Sequence, residues 1–144
     1  MEQRKNNNGF TLIELLIVMV ILGMLAALVG PKIFGKSDKA KLEAAKAQIG
    51  LFEAGLDLYR LDMGAYPTTS QGLKALRERP SAGDSKWDGP YLKKEIPTDP
   101  WGNDFIYRSP GEHGDFDILS YGRDNAPGGT GVDMDIVSWK GLEL

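Results

Sequence analysis

Residues 9–29 read GFTLIELLIVMVILGMLAALV, and between Phe10 and Val29 only Thr11 and Glu14 interrupt an apolar run. An α-helix needs about 20 such residues to cross the hydrocarbon core of a bilayer. The preceding segment, MEQRKNNNG, is polar and carries Arg4 and Lys5. That basic flank is expected to stay cytoplasmic while the bulk of the chain crosses, although Lys32, Lys36, Lys39 and Lys41 on the far side weaken the asymmetry. A secretory signal would have a shorter apolar region followed by a small-residue cleavage site, whereas here the apolar region continues into helix-compatible sequence.

Glu14 is the informative residue of the run. A carboxylate among apolar side chains in a bilayer is costly and usually has a partner. Close to the interface it can instead snorkel or take up a proton. The residues around it favour a partner: Gly9-Phe10-Thr11-Leu12-Ile13-Glu14 resembles the type III signal sequence of type IV pilins and pseudopilins. The resemblance implies that a prepilin peptidase cuts after Gly9 and methylates Phe10, and that Glu14 becomes the fifth residue of the mature chain. The new amine on Phe10 would be as costly in lipid as Glu14, so pairing the two between neighbouring subunits neutralises both and sets an assembly register. Pro31 lacks an amide hydrogen, so the helix is expected to kink or melt locally around Gly30-Pro31.

Beyond the span, Leu42, Ala45, Ile49, Phe52, Leu56, Tyr59 and Met63 recur at intervals of three and four, one face of a helix ending near Gly64. Lys41, Lys46, Glu53 and Asp57 lie off that face. Gly50 and Gly55 each weaken a helix interior and are expected to mark close packing. Thr69 or Ser70 is placed to cap a short second helix through Leu73, Ala75 and Leu76, which Pro80 stops. Residues 81–104 are rich in turns, with Trp87, Tyr91, Leu92, Ile96 and Trp101 as anchors to bury. Phe105–Arg108, Phe116–Tyr121 and Ile136–Trp139 are β-branched and aromatic, and predict antiparallel strands. The expected fold class is α+β, a long N-terminal helix packed on a small C-terminal sheet. Its segments are a leader at 1–9, a transmembrane and polymerisation helix at 10–30, and a globular domain at 31–144.

Four phrases narrow the resemblance. YPTTSQGL at 66–73, GPYL at 89–92, DPWGN at 99–103 and SYGRD at 120–124 follow one another as in the major pseudopilins of type II secretion, a group with the type IV pilin-like fold. The resemblance implies a homopolymer at the inner membrane with its globular domain in the periplasm. It implies minor pseudopilins and an inner-membrane assembly platform as partners, and membrane lipid around the helix before assembly. A type IV pilus subunit for motility, adhesion or DNA uptake shares this N-terminus, and is disfavoured by the four phrases and by the lack of cysteine. A membrane-anchored calcium module that never polymerises is a third reading.

Residues 124–135, DNAPGGTGVDMD, join three carboxylates through a glycine-rich turn, which suits a hard cation taking six to eight oxygen ligands. The spacing is not that of an EF-hand. The resemblance implies calcium held by Asp124 and Asp133, with Asp135 and the carbonyls of Tyr121 and Val132 as further donors. The formal charge of −3, with no basic stripe, argues against nucleic acid. The sole histidine, His113, stands in a turn-like GEHG with no nucleophile spaced for a triad, and no phosphate-cradling loop occurs, so a structural protein is expected rather than an enzyme.

Overall fold

The computed structural model describes residues 8–82 and 84–140. The leader residues 1–7 lie outside that range. The chain divides into two units, Met1–Ser37 and Asp38–Leu144. Helix α1, Leu12–Met63, begins in the first and ends in the second. It keeps helical backbone through Gly30 and Pro31, so the local melting expected there does not occur. One proline costs a helix a single backbone hydrogen bond, and long flanking stretches carry that loss. Between Phe10 and Val29 the apolar side chains are exposed, Phe10 at 84% and Leu28 at 73%, and this helix is long and apolar enough to span a membrane.

In the second unit α1 buries the face its periodicity marks. Ala45, Ile49, Phe52, Leu56 and Tyr59 are buried, and Leu42 and Met63 pack at the margins. Burying each large side chain is worth about 2 kcal/mol. They meet Leu73, Ala75, Leu76, Phe105, Tyr107, Ile118 and Ile136, with Phe52 edge-on to Phe105 at 5.1 Å. Gly55 does mark close packing, since a Cβ there would press on Leu92 and Leu76 at 3.3 and 3.4 Å. Gly50 faces open space. Off the core face, Ala44, Ala47, Leu51, Ala54, Leu58 and Leu61 form a second apolar stripe, exposed and again at intervals of three and four. That spacing is the seam a second helix would fit.

The three-stranded sheet runs β1 (Ile106–Arg108), β2 (Asp117–Ser120), β3 (Ile136–Val137), each neighbouring pair antiparallel. The strands are shorter than their sequence signals. Phe105 precedes β1 and is buried in the core. After β3, the Ser138 hydroxyl accepts the Ile118 amide at 3.0 Å and replaces a ladder carbonyl. The second helix is a single 3₁₀ turn, Leu73–Leu76, and neither Thr69 nor Ser70 caps it. Instead Thr68 and Gln71 bond reciprocally: the Thr68 amide donates to Gln71 Oε1 at 2.8 Å, and the Gln71 amide to Thr68 Oγ1 at 3.3 Å. Thr69 Oγ1 bridges instead to the backbone of Ser109.

The long turn-rich segment is pinned by its aromatics. Trp87 Nε1 donates to the Ala75 carbonyl at 2.9 Å, and the Tyr91 hydroxyl to Asp62 at 2.8 Å. Tyr91 stands edge-on to both Tyr59 and Trp87.

Candidate functional site

Two regions carry the residues singled out in the sequence. At the start of α1, Glu14 is already engaged. Its Oε2 accepts the Thr11 amide at 2.8 Å and the Thr11 hydroxyl at 3.0 Å, while the Glu14 amide donates back to Thr11 Oγ1 at 3.3 Å. This is a capping box, in which Thr11 and Glu14 satisfy two of the helix's orphan amides reciprocally. The signal, Thr-x-x-Glu ahead of an apolar run, stands in the sequence. Glu14 therefore has an intrachain partner before any neighbour arrives, and cleavage after Gly9 would leave that partner in place. Phe10 lies just before the cap and is exposed.

The second region is the loop from Tyr121 to Asp135. Gly122 turns the chain out of β2 with φ of 69°, and a Cβ there would lie 2.8 Å from the carbonyl oxygens of both Val132 and Met134. A side chain at 122 is thus excluded by the backbone of residues 132–134, where the chain returns towards β3. Asp124 Oδ1 accepts the Ala126 amide at 3.2 Å, and Asp135 Oδ2 the Gly128 amide at 3.0 Å. Asp135 Oδ1 is buried with no protein partner. Asp133 does not face the other two carboxylates as a free ligand. Arg123 forks onto it, Nε to Oδ1 at 2.9 Å and Nη2 to Oδ2 at 3.0 Å, and the Arg123 amide donates to the Val132 carbonyl at 3.0 Å. The bond to Asp133 raises Arg123 above its ordinary value. Among the described residues no three acidic or histidine side chains stand close enough to hold a metal. The elements that fit a hard cation are the unpaired Asp135 oxygen and the carbonyls crowded beneath Gly122. Asp133, as it stands, is taken.

The loop hangs from a hub invisible to sequence reading. Asp99 is buried; its Oδ1 accepts the amides of Trp101 and Asn103 at 3.0 and 2.9 Å, and its Oδ2 accepts the Ser120 hydroxyl at 2.6 Å. Ser120 Oγ in turn accepts the Gly122 amide at 3.2 Å. The phrases DPWGN and SYGRD are therefore one structure, a turn riveted to the stem of the acidic loop. Ser120→Ala leaves Asp99 Oδ2 without that donor and should cost about 2 kcal/mol in thermal unfolding. An unchanged unfolding curve would remove the hub from the account.

A second buried carboxylate, Asp117 at 1% exposure, holds the turn 109–116. It accepts the amides of Glu112 and His113 and the His113 ring nitrogen Nδ1, the last at 3.0 Å. The His113 ring stacks on Trp139 at 3.8 Å with planes 4° apart. Burial works to raise the Asp117 carboxyl, and the three N–H donors outweigh it and hold the group below its ordinary value. The histidine is thus a clamp across the sheet end, tying β2 to the residues after β3.

Comparison with known proteins bears on both regions. Residues 32–139 match the family model described as type II secretion system (T2SS), protein G, and residues 4–30 the prokaryotic N-terminal methylation motif. The type II secretion system core protein G of Pseudomonas aeruginosa is 46% identical over 139 residues, covering 95% of this chain and 98% of that one. Its counterpart from Vibrio cholerae is 43% identical over 141 residues, covering 96% of both chains. The crystal structure of the major pseudopilin from the type 2 secretion system of enterohaemorrhagic Escherichia coli superposes with a TM-score of 0.61 at 38% identity, covering 76% of this chain and 95% of that one.

Proposed function

Because this chain belongs to the type II secretion system protein G family, and so is a structural pseudopilin subunit, we propose how its own residues place it in a filament. A prepilin peptidase cuts between Gly9 and Phe10 and methylates the new terminus, as the match over residues 4–30 to the N-terminal methylation motif supports. The helix then holds the subunit in the inner membrane, with the globular domain in the periplasm. The observation that carries polymerisation is the exposure of the apolar side chains of α1 from Leu12 to Val29, beginning at the Thr11–Glu14 cap. In lipid that surface is solvated by acyl chains; in a filament, helices of further copies replace them. Glu14 exchanges its intrachain partner for the methylated amine of a neighbour's first residue, which neutralises two charges and fixes the axial step. The stripe through Leu51, Leu58 and Leu61 supplies further helix contact outside the membrane. Minor pseudopilins and an inner-membrane platform complete the partner set.

The acidic loop takes calcium, with Asp124 and Asp135 as side-chain donors, carbonyls including Val132 and Tyr121 as backbone donors, and Asp133 after release from Arg123. The unpaired Asp135 oxygen supports this reading. When bound, the ion supplies positive charge that neutralises the loop's carboxylates, and an ion binding only the folded loop stabilises the domain by mass action.

Deleting the gene in its host tests the filament's role. Secreted enzymes are expected to accumulate in the periplasm while surface pili and twitching persist. Normal secretion with lost pili would instead make this a pilus subunit.

A further inference from the structure

We infer that Arg123 is the built-in counter-ion of the acidic loop, competing with a divalent cation for Asp133 and so setting how much cation the fold requires; this rests on the calcium reading above. The guanidinium forks onto both Asp133 oxygens at 2.9 and 3.0 Å, and the same residue's amide occupies the Val132 carbonyl at 3.0 Å. One residue therefore engages two of the donors a metal would use. A bidentate fork is the carboxylate geometry that arginine satisfies best and that a spherical ion must break to gain the same oxygens. The buried carboxylate oxygen without a partner, Asp135 Oδ1, belongs to a residue two positions along, and the carbonyls of Val132 and Met134 gather under Gly122. The loop is thus closed at Asp133 by an internal cation and open at Asp135.

Two consequences follow from opposite directions. Without metal, the arginine already neutralises one of the three carboxylates, so the domain holds its shape at low calcium. With metal, binding through Asp133 first costs the ion pair, so affinity is lower than the loop's carboxylates alone would give. The pair is partly solvated, with side-chain exposures of 57% for Arg123 and 32% for Asp133, so the handicap is modest. A factor of roughly five in calcium affinity is the expected scale.

The test uses the full chain in detergent micelles. Calcium binding is measured by calorimetric titration, and thermal unfolding is followed in EGTA and in saturating calcium, for the parent and for Arg123→Met, which keeps the apolar stem and removes the fork. Arg123→Met is expected to bind calcium about fivefold tighter, to unfold at a lower temperature than the parent in EGTA, and to recover in calcium. Adding Asp135→Asn to that variant should abolish the tightened binding. Equal affinity of parent and Arg123→Met overturns the competition while leaving the calcium reading standing. Tight binding that survives Asp135→Asn places the ion elsewhere and overturns it as well. Absence of binding in every variant overturns the calcium reading itself, and the competition with it.

Discussion

Glu14→Ala is expected to leave the chain folded and anchored yet to abolish filaments when the assembly machinery is supplied. Among the described residues the buried core begins at Ala45, with Leu42 at its margin, so unfolding of the domain should not change. The apolar run is only made more apolar, so membrane retention should persist. Two things are lost: the acceptor in the capping box and the counter-charge for a neighbour's amine. Thr11→Val separates them, because it removes the hydroxyl of the cap and leaves the carboxylate. Sheared filament yield, scored by immunoblot against total subunit, should fall below detection for Glu14→Ala and only in part for Thr11→Val. Equal loss from both would assign Glu14 to helix capping alone, and normal yield from Glu14→Ala would sink the pairing argument.

The largest effect on stability is expected at Asp117. Alanine there strips the acceptor from the amides of Glu112 and His113 and from the His113 ring, inside a site only 1% exposed. Losing a buried charged acceptor of this kind costs about 3 kcal/mol, or roughly 15 °C in unfolding temperature for a domain near 100 residues. Asp117→Asn keeps the shape and one acceptor oxygen and should cost about half as much. Because the folded carboxyl lies below its ordinary value, its contribution is fully present above the unfolded-state value near 3.9 and disappears as pH falls through the lower folded value. The parent should therefore lose more stability than Asp117→Asn as the pH falls below about 4, measured by tryptophan fluorescence in denaturant. Parallel pH curves for the two would show that the carboxylate is not held in its charged form by the fold.

The core of this molecule is legible in the sequence because one helix supplies much of it and a helix repeats every 3.6 residues. Leu42 to Met63 reads as a face without reference to any partner. The same rule applied again would find Leu51, Leu58 and Leu61, and two stripes at the same spacing cannot be ranked from periodicity: only the sheet decides which is inside. Strand ends were less readable, because β3 stops where a serine hydroxyl substitutes for a carbonyl, a choice made by geometry rather than propensity. At the candidate sites, acidic residue types point to the loop, yet the bond from Arg123 to Asp133 spans ten positions and the one from Ser120 to Asp99 spans 21, separations over which local patterning is silent. Thr11 and Glu14, three apart, were within its reach.

The mooring of the acidic loop has one more outcome. Asn125 to Thr130 is exposed, whereas the chain on either side is fastened independently: Ser120 to Asp99, Ile136 and Val137 to β2, Ser138 to Ile118, and Trp139 against His113. A protease that nicked the tip would cut the covalent chain without freeing its final segment. The severed piece would stay seated by its sheet hydrogen bonds, and a filament of nicked subunits would keep its form until denaturant separated the fragments.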